Sequence, residues 1–119
     1  MMKKGIFQFV GLMTLIMTGC SSSNAIRFDV DSQCVYPIKG SLKYIDVSKM
    51  DGDCVFSVYF MPGDEDGRKP FAIQNLQPNH IYQIRNSGGD RGPYVIYVET
   101  DSTGRVTHLM EQDELPANY

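Results

Sequence analysis

From Ile26 onward the apolar residues tend to fall at every second position. Ile26, Phe28 and Val30 alternate with Arg27 and Asp29, the pattern of a strand with one buried face. "QCVYPI" is a shorter extended piece in which Pro37 suggests an edge or a break. "SLKYIDV" sets Leu42 and Tyr44 on one side but Ile45 and Val47 on the other, as a bulge would. "CVFSVYF" places Cys54, Phe56, Val58 and Phe60 on one face with Val55 and Tyr59 opposite, and reads as a central strand buried on much of both faces. "MPGDEDGRKP" has Pro62, Gly63, Gly67 and Pro70 among its charges, so the spacing predicts a loop. "FAIQNL" is a short strand, "QPNH" a turn and "HIYQIR" a strand. "NSGGDRGP" is a second glycine-rich loop. "YVIYVET" alternates Tyr94, Ile96 and Val98 with Val95 and Tyr97. "DSTG" closes a hairpin with Gly104 suited to positive φ, and "RVTHLM" returns. "EQDELPANY", 111–119, is an acidic tail expected to fray. No stretch after residue 25 carries a helical period. Six to eight short strands over 26–110 predict an all-β domain, a small antiparallel sandwich or barrel.

The first residues follow a different pattern. Lys3 and Lys4 precede an apolar run, Gly5 to Met17, interrupted only by Gln8 and Thr14. A spanning helix needs about 20 apolar residues, so the run has the length of a signal-peptide core instead. It leads through Thr18-Gly19 to Cys20 and then to three serines. This resembles the lipobox of bacterial lipoproteins, with Met17 where leucine is usual. The resemblance implies a signal peptide over 1–19, cleaved before Cys20. It also implies a diacylglyceryl group on the Cys20 thiol and a further acyl chain, such as palmitate, on the new amino terminus. Residues 20–25 would then be a lipidated flexible tether. Multiple acyl chains hold at about 0.8 kcal/mol per buried methylene. Ser21, where an aspartate would mark inner-membrane retention, resembles an outer-membrane sorting signal. The expected address is the inner leaflet of the outer membrane, facing the periplasm.

That address changes what composition means. Without Lys3 and Lys4, 9 of the 11 basic residues remain against 14 acidic ones, a net charge of −5 for the mature chain of 100 residues. The balance offers no footprint for nucleic acid and suits a basic protein partner. With Cys20 lipidated, Cys34 and Cys54 are an even pair in an oxidising compartment. A disulfide between them is expected, closing a loop worth about 3 kcal/mol. A metal pair or redox site fits less well, for there is no C-x-x-C and neither His80 nor His108 is near either cysteine in sequence.

The search for chemistry ends in binding. The paired carboxylates sit at strand ends or beside glycine, where aspartate serves turn geometry. "DEDG" lacks the ligand spacing of a calcium loop, and no serine occupies a nucleophile turn such as G-x-S-x-G. "NSGGDRG" has no helix after it to cradle phosphate. No enzyme activity, cofactor or metal is expected. Of seven tyrosines, the six on expected strands can pack or present a partner-facing patch. The lipobox, "QCVYPI", the second cysteine and "LQPNHIYQI" together resemble small immunity lipoproteins associated with type VI secretion. Size, location and β content are similar to lipoprotein inhibitors of lysozyme. The resemblance implies an inhibitor or immunity protein against a periplasm-acting toxin or hydrolase. The alternative is a structural accessory of an outer-membrane or secretion assembly. The expected contacts are the loops 61–70 and 86–93, with Asp64, Glu65, Asp66, Asp90 and Arg91 as the binding residues.

Overall fold

A computed structural model describes residues 23–115. The expected signal peptide over 1–19, the expected lipidation site Cys20 with Ser21 and Ser22, and the last four residues fall outside them. Eight strands form: β1 (Ile26–Asp29), β2 (Cys34–Pro37), β3 (Tyr44–Lys49), β4 (Cys54–Tyr59), β5 (Phe71–Ala72), β6 (Ile81–Gly88), β7 (Arg91–Thr100) and β8 (Val106–Met110). They make two antiparallel sheets packed as a sandwich, one ordered β1-β2-β5 and the other β4-β3-β6-β7-β8. The all-β expectation holds. Among the described residues no helix is long and apolar enough to cross a membrane.

The period-2 alternation fixes which side chains meet between the sheets. On the larger sheet Val47 stands opposite Ile84, and Tyr82 opposite Val98. The smaller sheet supplies Ile26, Phe28 and Val35; Leu42 and Ile73 enter from connections, and all of these are buried. The outer face of the larger sheet is polar and aromatic, with Tyr44 between Tyr59 and Ser87, and Asp46 between Ser57 and Arg85. At the β1–β2 turn, Gln33 bridges the sheets. Its side-chain amide donates to the carbonyls of Val30 (2.8 Å) and Val106 (2.9 Å) and accepts from the Val106 N–H (2.9 Å). Gly104 adopts φ 87° in the β7–β8 turn, as its position in "DSTG" suggested, and a Cβ there would meet the Leu76 carbonyl at 2.6 Å.

Several expectations are corrected. β4 is not central; it is an edge strand, with Tyr59 62% and Val55 38% exposed. Its apolar run reflects one half-buried face, Phe56 and Val58, plus aromatic and aliphatic side chains left in solvent. Leu42 and Tyr44 do not share a strand face. Leu42 precedes β3 and donates its N–H to the Gly67 carbonyl (2.6 Å), and the bulge lies instead at Val47–Ser48. "FAIQNL" keeps only two strand residues, because Asn75 at φ 64° bends the chain away. "NSGGDRGP" is not a loop between separate strands but the tip of the β6–β7 hairpin, with Gly88 paired to Arg91. The tail begins with a 3-10 turn at Gln112–Glu114, held by the Glu111 N–H on Glu114 Oε1 (2.7 Å) and by His108 Nε2 on Glu114 Oε2 (3.1 Å).

The expected Cys34–Cys54 disulfide is not formed; both are free thiols. The two strands belong to different sheets, and Cys54 turns its sulfur to Asp46 Oδ1 (3.2 Å) on the outer face of the larger one. Cys34 is half-buried at the start of β2, with its thiol on the Ser32 carbonyl (3.5 Å). Alkylation of the purified protein without reductant is therefore expected to add two labels, Cys54 well before Cys34. Mass spectrometry checks this, and labelling only after reduction would restore the disulfide.

Candidate functional site

One end of the sandwich gathers the start of β3, the end of β4 and the β6–β7 hairpin. It is built on two buried asparagines, Asn24 and Asn86. The Asn86 side chain accepts from the Lys43 N–H (2.9 Å) and donates to the carbonyls of Asn24 (3.1 Å) and Ser41 (3.1 Å). Asn24 Nδ2 donates to the carbonyls of Gly88 (3.1 Å) and Gly92 (2.9 Å), and its Oδ1 accepts from Lys43 Nζ (2.7 Å). Buried amides require this satisfaction, since each unmet group costs about 1–3 kcal/mol. The consequence corrects the reading of residues 20–25 as a free tether: Asn24 is already part of the domain.

Around this base the two segments predicted to bind come together. Met61 to Asp64 and Ser87 to Gly89 face one another across a hollow of about 300 Å3, completed by Ser41 to Tyr44, Tyr59 and Phe60. The first loop is shaped by a 3-10 turn, Glu65–Arg68, capped by the Asp64 carboxylate on the Asp66 N–H (3.0 Å). Of the residues singled out in sequence, Asp64 lines the hollow. Glu65 and Asp66 sit outside it on the turn, Asp66 in an exposed pair with Lys69 (3.7 Å) of the kind that contributes little stability. Asp90 is exposed at the hairpin tip, and Arg91 begins β7 beside it; neither lines the hollow.

What the sequence reasoning did not place is the apolar rim. Seven large hydrophobic side chains are exposed among the described residues; of these Tyr44, Tyr59 and Met61 line the hollow, while Ile38 and Tyr94 do not. The signal existed in the tyrosine count, but only the register shows that Tyr44 and Tyr59 are cross-strand neighbours. A second hollow of about 370 Å3 opens where the smaller sheet leaves the larger one uncovered, between Ile26–Phe28 and the strands of Val95–Tyr97 and Leu109–Met110.

Three carboxyls are held below their ordinary range. Asp29 is lowered by the Ser32 hydroxyl and Asp101 by the Thr103 hydroxyl, both in turns away from the hollow. Glu114 is lowered by the Glu111 N–H and then by His108. These are turn and cap hydrogen bonds, which favour the ionised form without implying chemistry. Among the described residues no group of three or more His, Cys, Asp or Glu is placed to hold a metal ion. No protein-family model, curated protein or solved structure matches this chain.

Proposed function

We propose that the protein is a lipid-anchored, non-catalytic binding module of the bacterial envelope, held through Cys20 at the inner leaflet of the outer membrane. Its work is occlusion, as an inhibitor or immunity protein covering a periplasm-acting toxin or hydrolase. The observation that carries this reading is the hollow between the two predicted loops, rimmed by Tyr44, Tyr59 and Met61 on rigid strands and a capped turn. Tyrosine and methionine are enriched at protein interfaces, and tyrosine buries its area at small entropic cost. The hollow's lining includes neither histidine nor cysteine, and its one ammonium, Lys43, is engaged by Asn24. The acidic net charge speeds encounter with a basic partner more than it tightens the complex.

A photo-crosslinking residue at Tyr59 in the full chain, in living cells, tests this. One protein should be captured there and not from Thr107, exposed on β8 at the other end of the sandwich. Capture of the same species from both positions, or none from Tyr59, would defeat the reading. A structural accessory of an outer-membrane or secretion assembly is the second reading. It is favoured by the hollow's position at the end from which the chain runs back to Cys20. A captured assembly component would decide for it over a toxin.

A further inference from the structure

We infer that the tethered end carries a second surface, adjoining the hollow and sharing Ser41 and Lys43 with it: a basic groove between Lys39, Lys43 and Arg68 that seats on the anionic headgroups of the membrane holding Cys20. This rests on the lipid-anchor reading and adds a contact and an orientation to it.

The argument begins with reach. Asn24 is fixed in the domain, and four residue steps separate it from Cys20. At about 3.3–3.6 Å per step the acylated cysteine lies at most about 14 Å away, whatever path the chain takes. The described chain begins beside the groove. The Ser23 carbonyl crosses Gly40 so closely that a Cβ on Gly40 would approach it to 2.5 Å. The groove, about 450 Å3, is lined by Pro37, Lys39, Gly40, Ser41, Lys43 and Arg68, which are three cations and no carboxylate.

Charge partners decide what it can take. Lys39 and Arg68 make no hydrogen bond or ion pair among the described residues, while the nearby Asp66 is already paired with Lys69. Lys43 gives one of its three donors to Asn24 and keeps the others. Ile38, 51% exposed, stands next to Lys39. A cationic groove with a projecting apolar side chain fits a phosphate layer over acyl chains. The opposite end has the opposite sign. Its turns carry Asp29, Asp31, Asp51, Asp53 and Asp101 against Lys49 and Arg105. A domain of net charge −5 is repelled by an anionic bilayer on average, so approach is favoured through the groove itself, whose lining has no carboxylate while Asp64, Glu65, Asp66 and Asp90 flank it at the same end.

The chain contains no tryptophan, so Ile38→Trp reports on this face without background. The full acylated protein, its acyl chains on Cys20 confirmed by mass, is reconstituted in phosphatidylcholine vesicles with and without phosphatidylglycerol. Both contain a headgroup nitroxide quencher. The indole should be quenched much more in the anionic vesicles, whereas one introduced by Thr107→Trp should stay unquenched in both. Each cation near the surface is worth about fivefold in docking, so adding Lys39→Glu and Arg68→Glu should lower it at least about 25-fold. Equal quenching in the two vesicles, or no loss in the charge-reversed variant, overturns the docking surface. So does shielding that appears only when a partner protein is added. A Cys20 without acyl chains defeats the anchor reading and the docking with it; an acylated protein that fails these comparisons defeats the docking alone.

Discussion

Replacing Asn86 with alanine is expected to remove about 4 kcal/mol from the stability of the domain. The side chain is fully buried and serves three backbone groups, the Lys43 N–H and the carbonyls of Asn24 and Ser41. Alanine leaves all three without a protein partner, at about 1–3 kcal/mol each before any water enters. A domain of this size has about 5–15 kcal/mol in total, so the loss is a large share. Urea unfolding followed by far-ultraviolet circular dichroism measures it. Amide exchange should accelerate first at Lys43 and around the β6–β7 hairpin tip. A change below about 0.5 kcal/mol would show that the asparagine pair is dispensable.

The second large effect is expected at Tyr82. Its ring is buried against the core and lies opposite Val98, while its hydroxyl accepts the Gln77 N–H at 2.8 Å. Tyr82→Ala should cost about 4 kcal/mol through lost burial and the cavity left behind, as aromatic truncations do. Tyr82→Phe should cost only about 1 kcal/mol, the net value of the hydrogen bond. Similar losses for the two would mean that the hydroxyl, not the ring, anchors the 73–80 connection. Both residues are on β6, but Asn86 closes one end of the sandwich and Tyr82 packs toward the other. Their effects should therefore add.

The strands were legible because burial on one face imposes alternation. β1 follows the apolar spacing almost residue for residue, β7 and β8 form where the spacing set them although β7 begins three residues earlier, and Gly104 turns where its sequence suggested. Edge or centre was not legible. β4 is rich in apolar residues on both faces, yet among the described residues no strand pairs with its outer edge, and a strand's neighbours are not written in its own sequence. The hairpin tip was misread for a related reason. "NSGGDRGP" carries every local mark of a loop, but Asn86 is claimed by partners far away in the chain, and the pairing continues to Gly88 and Arg91. Distance in sequence also hid the disulfide's failure, since two cysteines on strands say nothing of which sheet each joins. The candidate site was half visible. Both segments were named and meet at the hollow, but charged residues were chosen where Tyr44, Tyr59 and Met61 make the rim.

The bonding of Asn24 has a mechanical consequence. Any pull on a lipid at Cys20 arrives first at this residue, and there the load divides. Part passes along the chain into β1 two residues later, and part passes through the side chain into the β6–β7 hairpin of the other sheet. The Asn24 carbonyl, held by Asn86, adds a third strut. If the proposed anchor is present, a drag force on it would be met by both sheets at once rather than by unzipping one strand.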